Sequence, residues 1–563
     1  MAITAHVDTF ARDHLPPASQ WPVFHFDRPE YQYPERSNAA AALLDGAIDR
    51  GWGGRTALRT TAGPGVIGCT YAQLAAQVNR IARVLVEDLG LVPGNRVLLR
   101  GPNTPMLAAI FLAVLRAGLV AVPTMPLLRA RELKPVIDKA QVQAALVDAR
   151  LRDDLLACQD RTSEHHCASL AQVLAYNDPA AAALDALAQA KPAEFAAVDT
   201  HRDDVALIAF TSGTTGQPKG TVHFHRDLLV MSDAFPRHVL RPSPDDIFIG
   251  TPPLAFTFGL GGLLTMPLRC GASVVMNERY TPESLLATIA QTGASVLFTA
   301  PTMYRQLALL LQDRARGLAV PSLRKCVSAG EALPDATRQL WRAATGIEMI
   351  DGIGATEMIH IFIASAAPDV RPGAIGKVVP GYVARIVDEN MQTLPPGTVG
   401  KLAVQGPSGC RYLADARQQS YVRDGWNLPG DTFTMDADGY FFYQARSDDM
   451  IVSAGYNIAG PEVEAALLLH PAVAECGVVG APDDERGQIV KAYVVLKDSA
   501  QARADDALKR ALQEFVKQQI APYKYPRSVE FVDKLPRTET GKLQRFRLRE
   551  MARAAAGAAN GGA

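Results

Sequence analysis

Met106–Leu128 reads "MLAAIFLAVLRAGLVAVPTMPLL", and two folds compete for it. At 23 residues it is mostly apolar and nearly long enough to cross a bilayer as one helix. But Arg116 sits in the middle of the run, and Pro123 and Pro126 interrupt its second half. The alternative is a buried helix ending at Arg116, a stop at Gly118, and a buried strand over Leu119–Val122. The second reading predicts a helix–strand unit of a layered α/β protein, and the neighbouring sequence repeats it. "RVLLR" (Arg96–Arg100), "AALVD" (Ala144–Asp148), "SVVM" (Ser273–Met276) and "SVLFTA" (Ser295–Ala300) are short apolar runs separated by amphipathic stretches. Such alternation predicts α/β layers with largely parallel sheets.

The pattern changes twice further on. From Gly376 to about Tyr443, short strands and Gly/Pro turns such as "LPPGTVGKLAVQGP" predict a small β subdomain. After Arg446, "PEVEAALLLHPAV" and "ADDALKRALQEFVKQQ" read as helices, and "ECGVVG" and "KAYVVL" as strands, which makes a small α+β unit. The expected fold class is therefore α/β: a large N-terminal region of layered α/β subdomains plus a small β subdomain, residues 1–445, and a small α+β C-terminal domain, residues 446–548. Residues 549–563, ending "AAAGAANGGA", have the composition of a disordered tail. With 563 residues, more than one core is expected.

A net charge of −1 gives no electrostatic case for nucleic acid or an anionic membrane. Seven scattered cysteines fit free thiols in a reducing compartment. The N-terminus has no apolar core of a signal peptide. These features predict a cytoplasmic protein.

"VALIAF" (Val205–Phe210) reads as a buried strand, and "TSGTTGQPKG" (Thr211–Gly220) follows it. Small residues at a strand end let backbone N–H groups converge on an anion, phosphate above all. Thr211, Ser212, Thr214 and Thr215 add hydroxyls, Gly213 and Gly216 bare the backbone, and Lys219 adds a mobile charge. The Walker A spacing is absent, because Gln217 and Pro218 separate Gly216 from Lys219.

This loop resembles the phosphate loop of the adenylate-forming enzymes: acyl- and aryl-CoA synthetases, luciferases and peptide-synthetase adenylation domains. The resemblance continues in order through "SAGEALP" (Ser328–Pro334), "DGIGATE" (Asp351–Glu357), "GDTFTMDADGYFFYQARSDDMI" (Gly430–Ile451), "SAGYNIAGPEVE" (Ser453–Glu464) and "PRTETGKLQR" (Pro536–Arg545). Within that family, "DGIGATEMIHIF" and the opening "HVDTFARDHLPP" resemble the benzoate and 2-aminobenzoate CoA ligases.

The resemblance implies a two-step reaction: an acid and ATP form an acyl-adenylate and pyrophosphate, and CoA then displaces AMP. It implies ATP, CoA and Mg²⁺ as cofactors and an aromatic acid as the small-molecule partner. No nucleic acid or membrane is implied, and an oligomer is left open. The phosphate loop would hold the β- and γ-phosphates. Glu357 would meet Mg²⁺, and Thr356 the α-phosphate. Gly330, Glu331, Asp351, Gly352 and Ile353 would flank the adenine, with Ile353 where relatives carry an aromatic. Asp431 and Arg446 would take the ribose hydroxyls. Asp448 would be the hinge on which the mobile C-terminal domain turns between the two steps, and Gly455 would lie against CoA. Lys542 would bridge the acid and the α-phosphate in the first step. Thr257, Phe258, Gly354, His360 and Ile361 would line the acid pocket. His223 and His225 read as packing and capping residues. Two alternatives remain open: loading of an acyl or aryl group onto a carrier protein, and non-catalytic binding of a nucleotide or acyl group.

Overall fold

The computed structural model describes residues 4–63, 65–211, 218–313, 315, 317–446, 449–453, 456–483, 486–498, 501, 504–537 and 543–560. The opening stretch folds as a helix and a strand. The helix is Pro105–Arg116. Thr104 caps it, its Oγ1 accepting from the Leu107 N–H at 3.2 Å. Gly118 takes φ +69°, and a Cβ there would lie 2.9 Å from Val198 Cγ1, so both conformation and space call for glycine. The buried Arg116 is satisfied inside the fold: it grips Asp45 at 2.9 and 3.0 Å and donates to the Phe195 carbonyl. No helix among the described residues is long and apolar enough to cross a membrane.

The strand that follows is Val120–Thr124, so it runs through Pro123. The ladder explains this: the neighbouring strand Val205–Thr211 pairs with it only at Ala121↔Leu207, and the missing N–H of Pro123 costs no bond on that side.

Two α/β sheets build the large region. The first runs in the order Gln172–Tyr176, Ala144–Asp148, Arg96–Arg100, Val120–Thr124, Val205–Thr211, Lys219–Phe224. Its first five strands are parallel, and the last is antiparallel. The second has nine strands, with Ile350–Gly354, Lys325–Ala329, Val296–Thr299, Ile247–Gly250, Ser273–Val275 and Thr56–Ala62 as its parallel centre. Burial on both faces accounts for the unbroken apolar runs in these strands.

The β subdomain is a six-stranded antiparallel sheet from Val383–Val387 to Phe441–Arg446. The C-terminal unit has a hairpin, Met450–Ser453 with Tyr456–Ala459, and a three-stranded sheet, Val473–Asp483, Gly487–Leu496 and Ser528–Phe531. Helices Gly460–Leu468 and Asp506–Gln519 pack a separate core around Val463, Leu467, Val478, Val490, Leu512 and Val516.

The tail departs from the composition-based expectation. The last helix spans Arg545–Asn560 and so includes most of the residues assigned to a disordered tail. Alanine is the best helix former, and an Ala-rich segment following a docked turn continues the helix at little cost.

Candidate active site

The phosphate-loop segment is the connection of an antiparallel hairpin. Val205–Thr211 and Lys219–Phe224 pair from Val205↔Phe224 to Thr211↔Lys219, so Thr211 and Lys219 face each other at its loop end. Ser212, Gly213, Thr214, Thr215 and Gly216 lie outside the described residues, as do Asp448, Gly455 and Lys542.

A second chain segment lies along the hairpin. The Val222 N–H donates to the Arg411 carbonyl and the Leu413 N–H to the Gly220 carbonyl, both at 2.8 Å. This brings Tyr412 to the end of the phosphate loop. Lys219 Nζ donates to the Tyr412 hydroxyl at 3.2 Å, and that hydroxyl donates to Glu357 Oε1.

Thr356–Met358 forms one 3₁₀ turn between the antiparallel strands Ile350–Gly354 and Ile361–Ser365. The reversal is tight enough to hold Ile359, a β-branched residue, at φ +65°. Neighbours clamp the turn from several sides. His223 Nε2 donates to the Thr356 carbonyl at 2.8 Å, and Ser408 Oγ donates to the Met358 carbonyl at 2.7 Å. His223 is thus a buried packing residue that touches both this turn and Asp227 in the first turn of the helix His225–Phe235. His225 does serve packing and capping, its Nδ1 accepting from the Ala39 N–H at 3.1 Å.

The expected adenine residues lie at the ends of adjacent parallel strands. Ala329 pairs with Gly352, which brings Gly330 and Glu331 beside Gly352 and Ile353. Ligand sites of open α/β sheets form at such carboxyl ends. Gly330 takes φ +90°, and Glu331 accepts from Thr302 Oγ1 at 3.0 Å.

Asp351 is buried, 4.0 Å from the Arg338 guanidinium and holding the Gly352 N–H at 3.1 Å. Burial pushes its pKa up to about 7, against the pull of Arg338. The folded state therefore keeps a proton between about pH 4 and 7 that the unfolded chain releases, so stability falls as pH rises through that window and levels off above it. Each pKa unit is worth about 1.4 kcal/mol. Asp351→Asn is expected to gain stability relative to wild type as pH rises from 4 to 7, with no further gain above. Urea midpoints at pH 5 and 8 check this, and equal differences at both would contradict it.

Asp431 and Arg446 face each other across antiparallel strands, with Arg446 Nη1 at 3.2 and 3.4 Å from the two carboxylate oxygens. The Asp431 charge raises the Arg446 pKa above its ordinary value.

Four of the five expected pocket residues come together. Phe258 lies in the short helix Thr257–Leu260 that follows the strand Ile247–Gly250. Its ring is 5.9 Å from the His360 ring and 5.6 Å from that of Phe298. A Cβ on Gly354 would come within 2.8 Å of the His360 backbone, and one on Gly352 within 2.8 Å of Ile361 Cδ1. Thr257, the fifth, is buried at the start of the same helix as Phe258.

His360 is 3% exposed; no partner among the described residues meets full hydrogen-bond geometry at either ring nitrogen, and the Phe258 backbone is a marginal one. Burial pushes its pKa down to about 3, so the ring is neutral at pH 7; the Phe258 backbone pulls weakly the other way. An unpaired polar group costs free energy in an apolar wall, and a neutral imidazole there offers one donor and one acceptor.

Residues 48–412 match the AMP-binding enzyme family, and residues 462–542 the AMP-binding enzyme C-terminal domain. The chain belongs to this family and is an enzyme of the AMP-forming acid–thiol ligase class. It is 36% identical over 528 residues to a benzoate–CoA ligase of Thauera aromatica, covering 92% of this chain and 97% of the relative. A solved anthranilate CoA ligase in complex with anthranoyl-AMP superposes with a TM-score of 0.86 at 31% identity, covering 94% of this chain and 100% of that one. A benzoate CoA ligase from Burkholderia xenovorans LB400 superposes with a TM-score of 0.81 at 32% identity, over 91% and 100%.

Proposed function

We propose that this enzyme is an aryl-CoA ligase acting on 2-aminobenzoate, with benzoate as the nearest competing substrate. The observation that carries the reading is the Phe258–His360–Gly354 wall, apolar except for one buried neutral imidazole, with Gly354 and His360 flanking the turn that holds Thr356 and Glu357. The relatives named for benzoate and anthranilate support the same substrate class.

In the first step an oxygen of the aryl carboxylate forms a bond to the α-phosphorus of ATP, and the bond to the β-phosphate oxygen breaks. Pyrophosphate leaves with its electron pair. Two anions must approach, so cations and backbone dipoles carry the catalysis. Lys219 and the amides of Thr211–Gly216 would hold the leaving phosphates, Thr356 the α-phosphate, and Asp431 with Arg446 the ribose. Lys542 would span the carboxylate and the α-phosphate. In the second step the CoA sulfur bonds to the acyl carbon, the acyl–oxygen bond to AMP breaks, and the thiol proton is lost.

The residues present fit Mg²⁺. Glu357 is a single buried carboxylate that follows Thr356 in the turn, and no group of three His, Cys, Asp or Glu gathers among the described residues. A hard cation that takes most of its oxygens from phosphate and water needs little more. When bound, it would neutralise charge on the pyrophosphate.

An ortho amino group on benzoate is uncharged at pH 7 and can donate a hydrogen bond. Thr257 Oγ1 or the His360 acceptor nitrogen would receive it. The test is kcat/KM for thioester formation with the two acids, in wild type and Thr257→Ala. Wild type should favour 2-aminobenzoate, and the substitution should reduce that preference by roughly 3–10-fold, the worth of one hydrogen bond. A wild-type preference for benzoate would overturn the substrate assignment. An unchanged ratio would overturn the role of Thr257.

A further inference from the structure

Lys219 and Glu357 do not form a direct ion pair; the Tyr412 hydroxyl stands between them. It accepts from Lys219 Nζ at 3.2 Å and donates to Glu357 Oε1, and its ring lies 5.2 Å beneath the same ammonium. Tyr412 is fully buried. The hydroxyl has one proton, which it gives to the carboxylate, and it takes the lysine N–H on its lone pair.

The surroundings fix this side chain. Backbone bonds on both sides of Tyr412 tie its segment to the strand Lys219–Phe224, and its own N–H donates to Gln418 Oε1 at 2.9 Å. Its ring meets Tyr421 edge-on at 5.6 Å. The preceding residue, Arg411, pairs with Asp227 at 2.8 Å. The His223 ring lies 3.7 Å from that carboxylate and donates to the Thr356 carbonyl. Two successive residues of one segment thus reach two successive residues of the turn, Tyr412 directly to Glu357 and Arg411 through Asp227 and His223 to Thr356.

We propose that Tyr412 is a positioning residue for adenylate formation, which sets the Glu357 carboxylate and the Lys219 ammonium at a fixed separation so that they meet the metal-bound pyrophosphate together. The proposal rests on the roles given above to Glu357 and Lys219. A carboxylate held by the phenol through one oxygen has its second oxygen left for a cation. A lysine held on the same phenol keeps its charge beside that carboxylate, on the side of the phosphate-loop segment.

Tyr412→Phe removes the hydroxyl and keeps the ring. The full-length variant should melt within a few degrees of wild type without ligands, and its KM for the aryl acid should be unchanged. Its kcat for acid-dependent ATP–pyrophosphate exchange should fall by roughly 10–100-fold, the usual cost of losing a group that orients a metal ligand. Calorimetric titration with ATP should need a higher Mg²⁺ concentration for half-maximal binding. Glu357→Gln is measured in parallel. If Glu357→Gln abolishes exchange while Tyr412→Phe keeps wild-type kcat and Mg²⁺ dependence, Tyr412 has no positioning role and the reading of Glu357 stands. If Glu357→Gln also exchanges normally, the role of Glu357 itself is wrong. If Tyr412→Phe lowers the ligand-free melting temperature sharply and raises the acid KM along with the loss of kcat, its role is structural packing and the proposal fails.

Discussion

Lys542→Ala is expected to lower aryl-adenylate formation by roughly 10²–10³-fold, the usual cost of losing one preorganised donor aimed at transition-state charge. Thioester formation from aryl-adenylate supplied ready-made should stay near the wild-type rate. The asymmetry follows from the two-step scheme. The first step brings two anions together and needs a cation between them. In the second, a thiol attacks an activated carbonyl, and on the proposed scheme the C-terminal domain would have turned and carried Lys542 away. Single-turnover assays of each half-reaction measure the split. Equal losses in both would contradict the assignment of Lys542 to one conformation.

Arg411→Met should be among the most destabilising single substitutions in the large region. The Arg411–Asp227 pair is completely buried on both sides, at 2.8 Å. The Arg411 guanidinium also lies 4.1 Å from the Phe224 ring centre and 4.4 Å from that of Phe24. Burial alone would raise the pKa of Asp227, but the charge of Arg411, with His223, holds it below the ordinary carboxylate range. The stability it contributes is present above about pH 4 and lost as pH falls through the depressed folded value. Removing the guanidinium leaves a buried carboxylate without its counter-ion, which costs about 3–5 kcal/mol. Urea unfolding without nucleotide checks this. Adding Asp227→Asn, which removes the charge and keeps an acceptor for the Phe224 N–H, should restore part of the loss. A single variant within about 1 kcal/mol of wild type would contradict the account, since that is the size of an ordinary substitution.

Two partners of the Thr356–Met358 turn that sequence reading does not find, Tyr412 and Arg411, show where legibility ends. The strand Val205–Phe210, the helix to Arg116, the change of style near Gly376 and the "GATE" turn are local patterns, written in apolar runs, glycines and prolines. The α/β class follows from them, and the structure bears it out. "CRYL" carries no such pattern. Its importance comes from lying alongside a strand nearly two hundred positions earlier in the chain, as the Thr221↔Tyr412 bridge records. A tyrosine and an arginine in a short polar-flanked run read equally well as surface residues. The place of His223 in the chain shows its packing at the start of a helix but not its bond to a carbonyl 133 positions away. The pocket was legible in part, because "LAFTFGLGG" and "GATEMIHIF" each pair a bulky ring with glycines. That Gly261 makes room for His360, a Cβ there falling 2.5 Å from the ring, is visible only once the two segments are packed. The Ala-rich tail errs in the opposite direction: its composition lacks apolar bulk, yet local helix propensity carries Arg545–Asn560 onward.

The most direct test of the central claim is acid-dependent exchange of labelled pyrophosphate into ATP by the full-length enzyme, followed by addition of CoA. Exchange should require 2-aminobenzoate or benzoate and proceed without CoA. CoA should then release AMP and yield the aryl-CoA thioester in equal amount. Exchange without thioester formation would point to a carrier protein as acceptor. No exchange with any aromatic acid in the presence of Mg²⁺ would contradict the assignment as an aryl-CoA ligase.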